Sequence, residues 1–146
     1  MNPVYYDTSY LLKLLIVESG SHAVRAHAST VLEIHSASHG RAEFVSAAFR
    51  KVREGAATSA DFRRLMMQFH EDCLTGAIVF LPLTDAILNR VEMGFSKAPM
   101  TCYLRAGDAL HLATAAEHSF TEIYSNDIHL LAAAPLFGLR GMNVIP

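Results

Sequence analysis

Asp7, Glu43, Asp108 and Asp127 are the residues of this chain whose settings point most directly to chemistry. Asp7 closes the apolar run Val4-Tyr5-Tyr6, and Asp127 stands just past a second strand-like run, Glu122–Ser125. Glu43, in Ala42-Glu43-Phe44-Val45, and Asp108, in the apolar-rich stretch Leu104–Ala115, fall in the first turns of expected helices. An acidic side chain among apolar neighbours has to be paired, neutralised or bound to a cation. Carboxylates brought together repel and raise one another's pKa unless a cation intervenes. Mg2+ suits such a set, because it is hard, prefers oxygen and is satisfied by a few carboxylates plus water. Taken singly, each residue also has a purely local reading. Asp7 and Asp127 are placed to cap the helices that follow them, and Glu43 and Asp108 are first-turn acids favoured by a helix dipole.

The histidines are less informative by spacing. His111 lies one helical turn from Asp108 and reads mainly as a packed structural residue, and the other histidines show no metal-ligand pattern. Positive charge gathers in Arg50, Lys51, Arg53, Arg63 and Arg64 around Gly55, with Arg41 and Arg105 beside the acidic positions.

The elements that have to hold the four acids alternate along the chain. Strands are expected over 4–6, 30–35, 77–81, 122–125 and 142–145. Helices are expected over 8–17, 23–28, from about Ser38 to Gly55, from Thr58 or Ser59 to Gly76, from Thr84 to Phe95, over 104–118 and over 128–134. Ala42, Val45, Phe49 and Val52 mark the apolar face expected of the third helix. Strand–helix alternation points to an α/β class with a mostly parallel sheet. In such sheets ligands bind outside the carboxyl ends of the strands, where Asp7 and Asp127 would sit.

Composition narrows the class further. The chain has 146 residues, 51% hydrophobic and 18% charged, with a formal net charge of −2 at pH 7. It fits one domain over 1–146 with an ample core. The charge excludes a polybasic nucleic-acid binder, so any RNA contact has to be local or depend on a bound cation. Cys73 and Cys102 suit reduced thiols. No signal-peptide pattern opens the chain, and no apolar run reaches the roughly 18 residues of a membrane span, so the expectation is a cytoplasmic protein with no membrane partner.

Four segments together resemble the motifs of bacterial PIN domains. Tyr5-Tyr6-Asp7-Thr8-Ser9-Tyr10-Leu11-Leu12 is similar to the opening motif, Arg41-Ala42-Glu43-Phe44 to the second, and Ser125-Asn126-Asp127 to the fourth. Leu104-Arg105-Ala106-Gly107-Asp108-Ala109-Leu110-His111-Leu112-Ala113-Thr114-Ala115 resembles the third and most diagnostic. One departure is Gly107, where a bulkier residue is common. The resemblance implies a PIN-like α/β/α sandwich and a Mg2+- or Mn2+-dependent endoribonuclease. More narrowly, it implies a VapC-like toxin, dimeric and blocked by a VapB-like antitoxin. By position, Asp7, Glu43, Asp108 and Asp127 carry over as the catalytic, metal-binding set, with Thr8 and Ser125 as supporting hydroxyls. An arginine from the antitoxin is a fitting inhibitor, since its planar fork pairs bidentately with carboxylates.

Two other classes compete. A Mg2+-dependent phosphotransfer protein also places an Asp after its first strand. A haloacid-dehalogenase-type phosphatase, however, needs a second Asp two residues on, where Ser9 stands, and a receiver domain needs a late lysine, which the tail after Asp127 lacks. A catalytically silent PIN-fold binding module is the other alternative, and the complete acidic set argues against it.

Overall fold

The computed structural model describes residues 2–146. Its strands are short: β1 (Val4–Tyr5), β2 (Ile34–Ala37), β3 (Ile78–Leu81), β4 (Glu122–Tyr124) and β5 (Arg140–Met142). β1 pairs with β2 and β2 with β3, both parallel, and β4 pairs parallel with β5. The two ladders meet where Tyr6 bridges Tyr124, and the Asp7 N–H donates to the Tyr124 carbonyl at 3.1 Å. The strand order is therefore β3-β2-β1-β4-β5, a central parallel sheet. The chain winds outward from β1 to β3 and then returns to the other side of β1 with β4. That reversal makes a switch point between β1 and β4, where a parallel sheet leaves a crevice at its carboxyl edge.

Among the described residues, seven α-helices cover the sheet: α1 (Thr8–Leu15), α2 (Ser21–Ala28), α3 (His39–Arg53), α4 (Ser59–Thr75), α5 (Asp85–Lys97), α6 (Ala106–Glu117) and α7 (Ile128–Ala133). Successive side chains on a strand point to opposite faces. Tyr5 accordingly joins a core with Leu112 and Ala115 of α6, Ile123 of β4 and Leu130 of α7. Tyr6 joins a second core with Tyr10 and Leu11 of α1, Phe44 of α3 and Phe69 of α4. Both faces of the sheet are thus buried, as the sandwich expectation requires. Complete burial of each large apolar side chain contributes about 1.5–3 kcal/mol.

Local chemistry sets several helix ends. Thr58 accepts from the Asp61 N–H while the Asp61 carboxylate accepts from the Thr58 N–H, a reciprocal cap for α4, and Gly76 closes that helix in the left-handed region at φ 78°. Thr84 caps α5 by accepting from the Ile87 N–H at 3.3 Å. Gly94 inside α5 meets a different demand: a Cβ there would lie 2.3 Å from the Phe137 ring. Gly94→Ala is therefore expected to destabilise the fold by about 1–3 kcal/mol through overpacking, although alanine is the better helix former. Thermal denaturation read by circular dichroism checks this, and an unchanged or raised Tm would show that Phe137 can move aside.

Three element boundaries and one helix face depart most from the sequence expectation. β2 spans Ile34–Ala37 rather than 30–35, because Val31 and Leu32 lie in the approach to it and Leu32 is largely exposed. The inward face of α3 is Gly40, Phe44 and Ala48, whereas Val45 and Phe49 are exposed. α1 stops at Leu15, leaving Val17 in solvent. The last strand is Arg140–Met142, and Val144 and Ile145 pack against the second core without joining the sheet. Cys73 and Cys102 are free and half-buried. Among the described residues, no helix is long and apolar enough to cross a membrane.

Candidate active site

Asp7, Glu43, Asp108 and Asp127 all line one cavity of about 400 Å3, together with Thr8, Ser9, Arg50, Arg105 and His111. The cavity lies at the carboxyl edge of the sheet, at the switch point between β1 and β4. Asp7 is the N-cap of α1, Asp127 the N-cap of α7, Asp108 sits in the first turn of α6 and Glu43 near the start of α3. Helix N-termini carry partial positive charge, which offsets a fraction of the repulsion on Asp7, Asp108 and Asp127, about 0.3–1 kcal/mol each, whereas Glu43 lies beyond the first turn of α3.

The local capping roles coexist with contacts between the acids. Asp7 Oδ1 accepts from the Tyr10 N–H at 3.1 Å and from the Ser9 hydroxyl at 2.6 Å, while Oδ2 accepts from the Ser125 hydroxyl at 2.5 Å. Ser125 is fully buried, and its Oγ also accepts from the Asp127 N–H at 2.9 Å, so it ties the two strand-end aspartates together. Asp127 Oδ1 caps α7 by accepting from the His129 N–H at 2.8 Å. Its Oδ2 lies 3.5 Å from the Arg105 guanidinium, whose Nε is 3.5 Å from Asp108 Oδ2. Arg105 thus spans two acids, but its side chain is 61% exposed, so the pairing is weakly held.

Electrostatics separates the acids. Burial pushes the Asp7 carboxyl above the usual range, against the opposing influence of His111 and of the hydrogen bonds from Ser125, Ser9 and Tyr10. Asp108 is also raised, by burial first and then by the charge of Asp127, with Arg105 opposing. Its Oδ2 atom is buried and has no hydrogen-bond partner. The exposed Arg105 guanidinium, 3.5 Å away, is the cation that approaches it, and a carboxylate oxygen so weakly held among other acids suits a cation. Glu43 goes the other way: burial would raise it, but the hydrogen bond and charge of His111, the Thr8 hydroxyl and His39 outweigh burial and bring it to about 2.

The histidines form a group that their spacing in sequence did not reveal. His111 is buried; its Nε2 donates to Glu43 Oε1 at 2.8 Å, and its Nδ1 accepts from the Tyr5 hydroxyl at 2.9 Å. His39 Nε2 lies 3.3 Å from the same Glu43 oxygen and donates to the Gly107 carbonyl at 3.0 Å. Burial and the charge of His111 lower the His39 pKa, opposed by Glu43 and the Gly107 carbonyl. One signal was available: His39 and Glu43 stand four residues apart, on one face of α3. Gly107 also gains a reason. A Cβ there would come 3.1 Å from Glu43 Oε2, so the glycine leaves that carboxylate its room. Ser9, read only as a missing aspartate, proves to hold both Asp7 and the Asn126 N–H, the latter at 3.0 Å.

Of the basic residues around Gly55, Arg50 lines the cavity, Lys51 lies 3.2 Å from Glu18 and Arg64 pairs with Asp61. Arg50 and Lys51 also line an adjoining hollow shared with Ser9 and Asp127, which extends the cavity along α3.

A family model for the PIN domain matches residues 4–135. The chain belongs to the PIN-domain family. Among solved structures, this PIN domain is similar to a chain of VapBC2 from Rickettsia felis bound to a DNA fragment from their promoter. The TM-score is 0.65 at 12% identity, covering 98% of each chain. It is also similar to a chain of FitAB bound to an IR36 DNA fragment, with a TM-score of 0.60 at 16% identity, covering 100% of this chain and 96% of that one. At these identities the likeness is one of fold. No curated protein matches the sequence.

Proposed function

We propose that this PIN domain is a metal-dependent endoribonuclease and the VapC-like toxin of a type II toxin–antitoxin pair. The observation that carries the reading is the gathering of Asp7, Glu43, Asp108 and Asp127 around one cavity at the sheet's switch point, with Asp108 Oδ2 accepting no hydrogen bond and approached at 3.5 Å by the exposed Arg105 guanidinium. The donor set fits a hard divalent ion, so Asp7, Glu43, Asp108 and Asp127 would hold Mg2+ or Mn2+. When bound, such an ion supplies a more acidic water and neutralises charge at the attacked phosphate.

The remaining work falls to the chain's own side chains. Ser125 and Ser9 fix the Asp7 carboxylate from two sides, and Thr8 donates to Glu43 Oε1 at 2.8 Å. Donors of this kind hold carboxylates in one orientation, and such partners of metal ligands typically matter 10–100-fold. Arg50, exposed beside the cavity, is placed to contact the RNA backbone, and Arg105 is free to turn from the acids toward a phosphate. The partners in this reading are RNA, a second copy of the chain and a VapB-like antitoxin that places an arginine among Asp7, Glu43 and Asp108.

Removal of the metal tests the activity. Purified protein in Mg2+ is expected to cleave a mixed RNA substrate, to lose that cleavage completely in EDTA and to regain it when Mg2+ is restored in excess. Cleavage that persists in EDTA would exclude a metal-dependent mechanism.

A further inference from the structure

We infer that His39, His111 and Glu43 Oε1 form a second, nitrogen-bearing site for a borderline divalent transition ion of the Zn2+ class, sharing Glu43 with the acidic site. The convergence of the two imidazoles on one carboxylate oxygen is the starting point. His39 and His111 come from different helices, yet both present Nε2 to the same carboxylate oxygen, at 3.3 and 2.8 Å. The three ligand atoms all lie within 4.8 Å of one another. Ligands about 2.0–2.1 Å from a tetrahedral Zn2+ are roughly 3.3 Å apart, so small rotations of His39 and Glu43, both partly exposed, close the set once His39 Nε2 releases the Gly107 carbonyl and its proton moves to Nδ1.

The surroundings favour imidazole coordination over accidental proximity. When Nε2 of His111 gives up its hydrogen bond to Glu43 and takes a metal, its proton belongs on Nδ1. There the Tyr5 hydroxyl, 2.9 Å away, becomes the acceptor. That is the outer partner a metal-bound histidine requires, fixing both tautomer and ring orientation. Two glycines make the approach possible. A Cβ on Gly40 would lie 3.3 Å from His111 Cε1, and one on Gly107 would crowd Glu43 Oε2 at 3.1 Å.

Ligand type then divides the cavity. Imidazole suits Zn2+, Ni2+ and Cu2+, while carboxylate and water suit Mg2+ and Mn2+. Asp7, Asp108 and Asp127 offer only oxygen, and the His39–Glu43–His111 side offers two nitrogens and one oxygen. An ion on the nitrogen side withdraws Glu43 Oε1 from the acidic set, so occupancy of the two sites is antagonistic. This antagonism rests on the nuclease reading; the Zn2+ site itself does not.

The test is Zn2+ affinity of the metal-stripped full chain, measured by competition with a chromogenic chelator, with Co2+ visible absorption as the coordination signature. The wild type is expected to bind Zn2+, and His22→Ala to bind within about threefold of it, since His22 is an exposed imidazole on α2 outside the cavity. His39→Ala is expected to lose at least about tenfold in affinity together with the Co2+ band, His39→Gln serving as a second variant with matched circular dichroism. Equal affinity in wild type and both His39 variants overturns the inference, as does a loss in His22→Ala equal to that in the His39 variants. RNA cleavage in Mg2+ is scored separately. Cleavage without Zn2+ binding refutes the second site and leaves the nuclease, whereas Zn2+ binding through His39 without cleavage refutes the nuclease and leaves the site.

Discussion

Asp108→Asn is expected to lower RNA cleavage by about a thousandfold while leaving the fold intact and the metal-free protein more stable. Outer partners of metal ligands account for 10–100-fold, and a direct ligand should exceed that. The stability gain follows from the carboxyl's setting. Asp108 Oδ2 is buried without a hydrogen-bond partner, and burial followed by the charge of Asp127 raises its pKa. A folded-state pKa above the unfolded value means that the neutral form stabilises the protein at low pH. That stability is lost as pH rises through the raised pKa. The Tm advantage of Asp108→Asn should therefore be smallest near the unfolded carboxyl pKa, about 4, and grow toward neutral pH. Glu43 acts in the opposite sense. Its pKa, lowered to about 2, gives stability that is present above its unfolded value and lost only as pH falls toward 2. Activity surviving in clean Asp108→Asn protein, or a Tm difference that shrinks as pH rises, would each contradict this assignment.

The second large effect concerns the cell. Induced expression of the chain alone is expected to arrest bacterial growth, and Asp7→Ala to abolish the arrest, because Asp7 is buried at the centre of the hydroxyl network that orders the site. If the toxin reading holds, co-expression with a neighbouring gene that encodes the proposed antitoxin should restore growth. A guanidinium in the cavity would replace the weak hold of exposed Arg105 on Asp108 and Asp127 by a desolvated, bidentate pair. Substituting the antitoxin's inserted arginine by alanine should then remove most of the relief. Equal growth of wild-type and Asp7→Ala strains would count against a toxin, while leaving cleavage of RNA in vitro as a separate question.

Much of this arrangement was legible in the chain because the acids sit at places where sequence signals are strong. Asp7 and Asp127 follow apolar strand residues and open helices, so alternation and capping both marked them. Strand β2 was misplaced because its working residues, Ser36 and Ala37, are small and poor in β propensity, whereas Val31 and Leu32 look more like a strand than they behave. They are small where the sheet runs under α6 and Gly40 approaches His111. The face of α3 was misread for a related reason. The helix is apolar on two sides: Phe44 stacks on Phe69 at 4.3 Å in the core, while Val45 and Phe49 line a surface groove with Arg41 and His70. Periodicity reports an apolar stripe without saying which stripe faces the sheet. The pairing of His39 with His111 escaped notice because their meeting is tertiary, set by the crossing of α3 and α6, and no spacing along the chain encodes that crossing.

The claim that the four carboxylates hold the divalent ion is tested most directly by diffraction from crystals grown with Mn2+, using its anomalous signal. The expected result is anomalous density within the cavity, with carboxylate oxygens of Asp108 and at least one of Asp7, Glu43 and Asp127 at about 2.0–2.3 Å, and its loss in Asp108→Asn crystals. Mn2+ bound elsewhere on the surface, or no density in the cavity at millimolar Mn2+, would contradict it.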